Sequence, residues 1–361
     1  MTRTRLAILY LSALFWLTAG FRPAAAQILF RPVLGGLPAD SGLAAGFELL
    51  RHRTLGPFDA RTRFVGSVKQ YEHVDLGLES PPPATHDFFS EIRLRYRNYP
   101  EEDFWGLGPD SDESARSNYR LEDVRLRGMA GLHFRSGFRV AGVLGFTKAN
   151  VGPGRDDDFP STGAAFRPEE APGLTASPDY WQVGLQLDYD RRDDRDDPRA
   201  GQFAAFEWTR FGDRAPGDFS FDRFELDYRH FFALSNSGRL AGRVRILLAE
   251  PRPGHTIPFY LQPSVGGTDT VRGFDQYRFR SDNALVFNLE YRQAWKGVFD
   301  IVLFADAGRV TSRRSELGLA DLHGSAGVGG RVRFGSQVFF GADLGFSREG
   351  HEIWFRSDHT F

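Results

Sequence analysis

Arg223-Phe224-Glu225-Leu226-Asp227-Tyr228-Arg229 is the stretch from which the fold can be read. Phe224, Leu226 and Tyr228 take every second place, and the places between them are all charged. Side chains of an extended strand point to opposite faces in turn, so this segment has one apolar and one charged face. The same period recurs along the chain. Ile92, Leu94 and Tyr96 interleave with Glu91, Arg93, Arg95 and Arg97. Phe138, Val140, Leu144 and Phe146 share a face, as do Trp181, Val183, Leu185, Leu187 and Tyr189. Leu240, Val244, Ile246 and Leu248 alternate with Arg239, Arg243 and Arg245. Leu285, Phe287, Leu289 and Tyr291 alternate with Asn288, Glu290 and Arg292, and Val338, Phe340, Leu344 and Phe346 close the series. No stretch combines a sustained helical period with a helix cap.

A soluble sandwich alternates in the same way, but its strands average ~5–6 residues, whereas a tilted membrane-spanning strand needs ~9–11. The segments here run near the longer value. Their apolar faces carry aromatics near the ends, as interfacial girdles do, and their polar faces suit a wet lumen with paired charges. Composition agrees, with 34 Phe and 40 Gly against 2 Met in 361 residues. A net charge of -2 gives nucleic acid no electrostatic footprint. The absence of cysteine excludes disulfides, thiolate metal sites, thiol catalysis and a lipidated cysteine anchor.

These features predict an all-β fold: a closed antiparallel transmembrane β-barrel of about 14–16 strands. Short connections at 135–137, 233–237, 294–297 and 335–336 alternate with long ones at 98–117, 148–178, 250–282 and 307–324. Outer-membrane barrels have short periplasmic turns and long extracellular loops, which places both termini in the periplasm. At the N-terminus, Arg3 and Arg5 precede an apolar run at 6–18 and Ala24-Ala25-Ala26. That pattern predicts a signal peptide over 1–26, cleaved before Gln27. Residues 27–40 then read as a short leader and 41–361 as the barrel.

Four motifs carry a family resemblance. Gly266-Gly267-Thr268-Asp269-Thr270-Val271-Arg272-Gly273-Phe274 lies in a long loop, and Phe304-Ala305-Asp306-Ala307-Gly308 lies on the strand after next. Glu290 sits on the charged face of the strand between them. Phe104-Trp105-Gly106-Leu107-Gly108 is the third motif, and Asp188-Tyr189-Asp190 leading to Asp197-Pro198-Arg199-Ala200-Gly201 is the fourth. Five strands follow the long loop. Together these resemble the VRGF, F-x-D-x-G, FYGLG and D-x-R-D-x-P elements of the BamA/TamA superfamily of barrel-assembly and translocation proteins, the bacterial surface antigen family. The third motif departs by carrying Trp105 for tyrosine. The resemblance covers most of 41–361 and is most specific from 266 to 308.

The resemblance implies that the long loop folds back into the lumen. Arg272 would then pair with Asp306, with Glu290 as second partner, both carboxylates being on lumen faces by alternation. Val271, Gly273, Phe274 and Gly308 complete the expected tether. The alternative for Arg272 is an exposed loop residue touching lipopolysaccharide phosphate. Ile353, Phe355 and Phe361 share an alternating face and resemble a C-terminal recognition strand. The seam between first and last strands would join 42–50 to 352–361. The family's assembly factors carry periplasmic POTRA domains, for which this chain leaves no room, and that puts substrate delivery in doubt. Asp156-Asp157-Asp158 reads as a solvated acidic loop or a cation site. Asp193, Asp194, Asp196 and Asp197, mixed with Arg191, Arg192 and Arg195, read as a solvated turn.

Three function classes follow. The first is an assembly-type barrel that inserts or translocates proteins or lipids at the outer membrane of a Gram-negative-type bacterium. Its partners would be membrane lipids, lipopolysaccharide and outer-membrane protein substrates. The second is a passive channel biased toward anions by Arg93, Arg95, Arg243 and Arg245. The third is a lipid hydrolase, which needs a nucleophile, a base and an orienting group on one rim. Residues such as His133, His230 and His255 form no recognisable arrangement of that kind. No cofactor, metal or nucleic acid is expected, and the sequence leaves oligomeric state open.

Overall fold

The structure is a computed structural model that describes residues 28–38, 41–55, 57–80, 88–215, 217–334, 337–357 and 361. The expected signal peptide lies outside the described residues. Strands β1 (Ile28–Leu34), β2 (Ala44–Leu55), β3 (Phe58–Ser67) and β4 (Glu72–Glu79) begin the chain. β5 (Phe88–Phe104), β6 (Ser117–His133), β7 (Phe138–Pro153) and β8 (Asp179–Asp190) follow, then β9 (Gly201–Asp213), β10 (Phe221–Ala233) and β11 (Gly238–Pro251). A small hairpin, β12 (Ser264–Val265) with β13 (Phe279–Arg280), interrupts the series within the long loop. β14 (Asn283–Trp295), β15 (Phe299–Thr311), β16 (His323–Phe334), β17 (Gln337–Ser347) and β18 (Gly350–Arg356) complete it.

All strands but β12 and β13 form one 16-stranded antiparallel sheet in chain order. Its burial is inverted relative to a soluble domain. Leu144, Trp181 and Leu303 are at least half exposed on one face, while Asp188, Asp227, Glu290 and Asp306 are buried on the other. An exposed belt of large apolar side chains is what a strand presents to lipid, and the charged face then lines the lumen. The sheet curls until its ends meet. Arg31 of β1 donates to the carbonyls of Val338 (2.7 Å) and Ser357 (2.8 Å), and the Gly36 N–H donates to the Phe355 carbonyl at 3.4 Å. At the long-loop end the lumen is capped by an apolar cluster that joins strand residues Phe104, Tyr119 and Phe221 to loop residues Ile257, Phe259 and Tyr260.

Four expectations need correction. The segment read as a leader contains β1, so the seam joins 28–34, not 42–50, to the last strand. Its run of apolar residues broken by Pro32 hides the two-residue period, and an edge strand is where a proline is tolerated. β5 continues to Phe104 and β7 to Pro153, so both intrude on segments read as loops. Phe361 does not share a face with Ile353 and Phe355. Those two are more than half exposed, whereas β18 ends at Arg356 and Phe361 is buried against Phe231 and Ala241 on the inner wall. Alternation holds only while the chain is a strand, so counting by twos beyond Arg356 loses its meaning. Finally, the acidic turn between β8 and β9 is more than solvated. Asp197 pairs with Arg239 (2.5 Å) and Arg333 (2.7 Å), while Asp193 accepts the N–H groups of Arg199 and Ala200.

Candidate functional site: a buried arginine network under the long loop

Arg272 is held by the long loop and its side chain is fully buried. Its partners come from adjacent strands, whose register places Asn288 opposite Asp306 and Glu290 opposite Phe304. Arg272 Nε donates to Asp306 Oδ2 at 2.7 Å and Nη2 to Oδ1 at 2.8 Å, a two-pronged guanidinium–carboxylate pair. The Arg272 backbone N–H donates to the same carboxylate at 3.2 Å. Nη1 donates to Glu290 Oε1 at 2.5 Å and lies 3.5 Å from Asp343 Oδ2. The guanidinium also stacks over the Phe304 ring, 3.5 Å from its centroid, a contact worth more once desolvated. Burial opposes the charged form of Arg272, but the carboxylates of Glu290, Asp306 and Asp343 outweigh it and hold the guanidinium above its ordinary pKa.

The rest of the motif serves this contact sterically. A Cβ at Gly273 would sit 2.6 Å from the Ser325 side chain and 2.8 Å from the Phe346 backbone. Its value is close approach to the wall rather than a turn. Gly345 answers from β17, where a Cβ would meet the Arg272 carbonyl oxygen at 2.4 Å. A Cβ at Gly308 would press on Val271 and Val265 at 3.1 and 3.2 Å. Val271 and Phe274 are buried in one apolar cluster with Val265, Phe279 and Val310. Phe304, Asp306 and Gly308 therefore supply three services to one loop: a ring, a charge and clearance.

The site's members from 271 to 308 lie together, and Ile353, Phe355 and Phe361 do not join them. β18 nonetheless reaches the site through the residue between the first two, since Trp354 Nε1 donates to the Arg272 carbonyl at 2.7 Å. Several members carry no motif. Asp343 binds Arg331 (2.7 Å) and Arg356 (3.2 Å), Arg292 donates to Glu290 at 2.7 Å, and Asn288 donates to Asp306 at 2.9 Å and the Thr270 carbonyl at 2.6 Å. The signal that could have found them is alternation itself: each is a polar residue on the inward face of β14 to β18. Three carboxylates and four arginines pair there, where an unpaired charge costs roughly several kcal/mol, although Arg292 Nη1 and Arg331 Nε are buried without a hydrogen-bond acceptor.

The comparisons now have a geometry to meet. The model of the Omp85 superfamily domain matches residues 61–342. No curated protein sequence matches the chain. Among solved structures, BamA from Haemophilus ducreyi lacking POTRA domains 1–3 is similar at 15% identity and a TM-score of 0.64, over 92% of this chain and 69% of that one. CdiB from Escherichia coli is similar at 14% identity and a TM-score of 0.60, over 94% of this chain and 68% of that one. CdiB from Acinetobacter baumannii is similar at 14% identity and a TM-score of 0.56, over 91% of this chain and 58% of that one. At such identities the likeness speaks to the fold. The family model spans most of the chain, and its outer-membrane setting agrees with the lipid-facing belt: the chain belongs to the Omp85 superfamily, as an outer-membrane β-barrel.

Proposed function

We propose that this barrel inserts or translocates proteins, or lipids, at the outer membrane, opening at the seam between β1 and β18 while the 252–282 loop stays pinned inward by Arg272. The observation that carries this reading is the seam. Every other neighbouring pair in the sheet is joined by a ladder, but among the described residues no ladder joins β1 to β18. What joins the two ends is the 3.4 Å bond from Gly36, just after β1, to Phe355 of β18, and the Arg31 side chain, which donates to Val338 of β17 and to Ser357 just past β18. Unpaired strand edges template an incoming strand through main-chain hydrogen bonds. Outer-membrane protein strands are the substrate chemistry that fits, with lipids and lipopolysaccharide as surroundings. Ile353 and Phe355 face lipid beside the seam, where they can serve in recognition of the barrel by its own assembly partners. A passive channel fits less well, because Phe259, Tyr260 and the Arg272 network occupy lumen space.

The test exploits a chain without cysteine. Leu34 and Ile353 line one apolar cavity along the seam. Leu34→Cys with Ile353→Cys, joined by a short bismaleimide, should abolish insertion of a client barrel into liposomes, whereas each single variant treated alike stays active. Full activity of the cross-linked barrel would refute the reading.

A further inference from the structure

A second group of arginines lines the inner wall from β3 to β6, and it is built differently from the Arg272 network. The registers place Arg63 opposite Asp75, Asp75 opposite Arg95, and Arg95 opposite Arg125. The next row sets Arg93 opposite Arg127. Like charges directly opposite on antiparallel strands are destabilising. The carboxylates nearby are drawn elsewhere. Asp123 is chelated by Arg97 and stands 3.9 Å from Arg95. Asp75 pairs with Arg93 at 3.4 Å, and Glu207 pairs with Arg127 at 2.7 Å. Among the described residues, Arg63 and Arg125 make no hydrogen bond or ion pair, and Nε of both Arg95 and Arg125 is buried without an acceptor. Arg63 faces Glu48 as well as Asp75 yet forms an ion pair with neither, so its charge is left for another partner.

There is room for one. Arg63 and Arg95 line a cavity of about 360 Å³ whose other walls include Tyr277 and Asp269 of the long loop and Gly36 and Phe355 of the seam. We infer that this cavity binds a phosphate-bearing group, gripped by Arg63 and Arg95, which reach it from either side of Asp75. Guanidinium forks match phosphate oxygens in pairs, and long arginine side chains from β3 and β5 can converge on one phosphate. The volume suits a headgroup or a small phosphate ester. Gly36 and Phe355 put the cavity against the seam, so the phosphate can belong to a lipid arriving from the membrane or to a free solute arriving through the lumen. Asp75 and Asp269 line the same cavity and oppose an anion there, Asp269 from the exposed side of the loop.

The purified full-length barrel in a neutral detergent tests this with three probes: short-chain phosphatidylglycerol, inorganic phosphate, and the matching diacylglycerol. Phosphatidylglycerol or phosphate should bind and raise the melting temperature, and diacylglycerol should not. A response to phosphatidylglycerol alone assigns the lipid, and a response to phosphate as well assigns the free group. Arg95→Gln should weaken binding by about tenfold or more, the scale of one lost charged contact. The unliganded Arg95→Gln variant should melt no lower than the wild type, because the repulsion between Arg95 and Arg125 has been removed. Asp269→Asn, which leaves the arginines intact, should bind more tightly. Failure of both phosphate probes to bind the wild type, or undiminished binding by Arg95→Gln, would overturn the inference.

Discussion

Arg272 stands fully buried between three carboxylates, so its removal leaves buried negative charge as well as a hole. Breaking a buried pair in that way costs about 3–5 kcal/mol. Arg272→Ala is therefore expected to lower the temperature at which the folded barrel loses its heat-resistant gel mobility. Lysine is no substitute, because an ammonium cannot serve both oxygens of Asp306, reach Glu290 and stack flat on Phe304 together. Arg272→Lys should recover less than half of the loss in the same assay. Asp306→Ala should resemble Arg272→Ala, and the double variant should add little, since members of one network are not additive. Strictly additive losses would show that the two residues act separately.

The long loop and the strands beneath it work as one element, and its seating is steric as much as electrostatic. Gly345→Val touches no charge, yet its side chain would collide with the Arg272 carbonyl. It should lift the loop and reproduce much of the Arg272→Ala phenotype, at roughly 1–3 kcal/mol for an overpacked contact. A Gly345→Val barrel with wild-type heat resistance would contradict that seating. The chain after β18 is a separate matter. Phe361 is fixed by Phe231, Ala241 and a hydrogen bond from Arg292 at 3.1 Å. Phe361→Ala should speed tryptic cleavage after Arg356 while leaving the resistance of β14 to β17 unchanged. Equal cleavage rates would mean that Phe361 anchors nothing.

At the scale of the whole molecule, alternation made the barrel legible, because lipid and lumen impose opposite demands on successive residues. It exposed Leu289 and Leu303 to one solvent and buried Glu290 and Asp306 from the other. It failed where the pattern lapsed: in β1, whose Pro32 and apolar run look like a leader, and past Arg356, where the strand stops. The candidate site was legible as far as its motifs ran. Asp343 and Trp354 contact Arg272, and Arg331 bears on it through Asp343, all from more than fifty residues along the chain, and only the closed sheet brings them there. The arginine row of β3 to β6 could be seen as charge but not as surplus, since that needs the register of each strand pair.

In the proposed mechanism the loop, pinned at Arg272 and roofed by Phe259 and Tyr260, keeps the lumen shut while the seam is the part that yields. Single-channel recording in planar bilayers reads this directly. The wild-type barrel should show small, intermittent conductance, and Arg272→Ala should show openings several times larger and longer-lived, as a released loop uncovers the pore. A steady, large conductance in the wild type that Arg272→Ala leaves unchanged would contradict it.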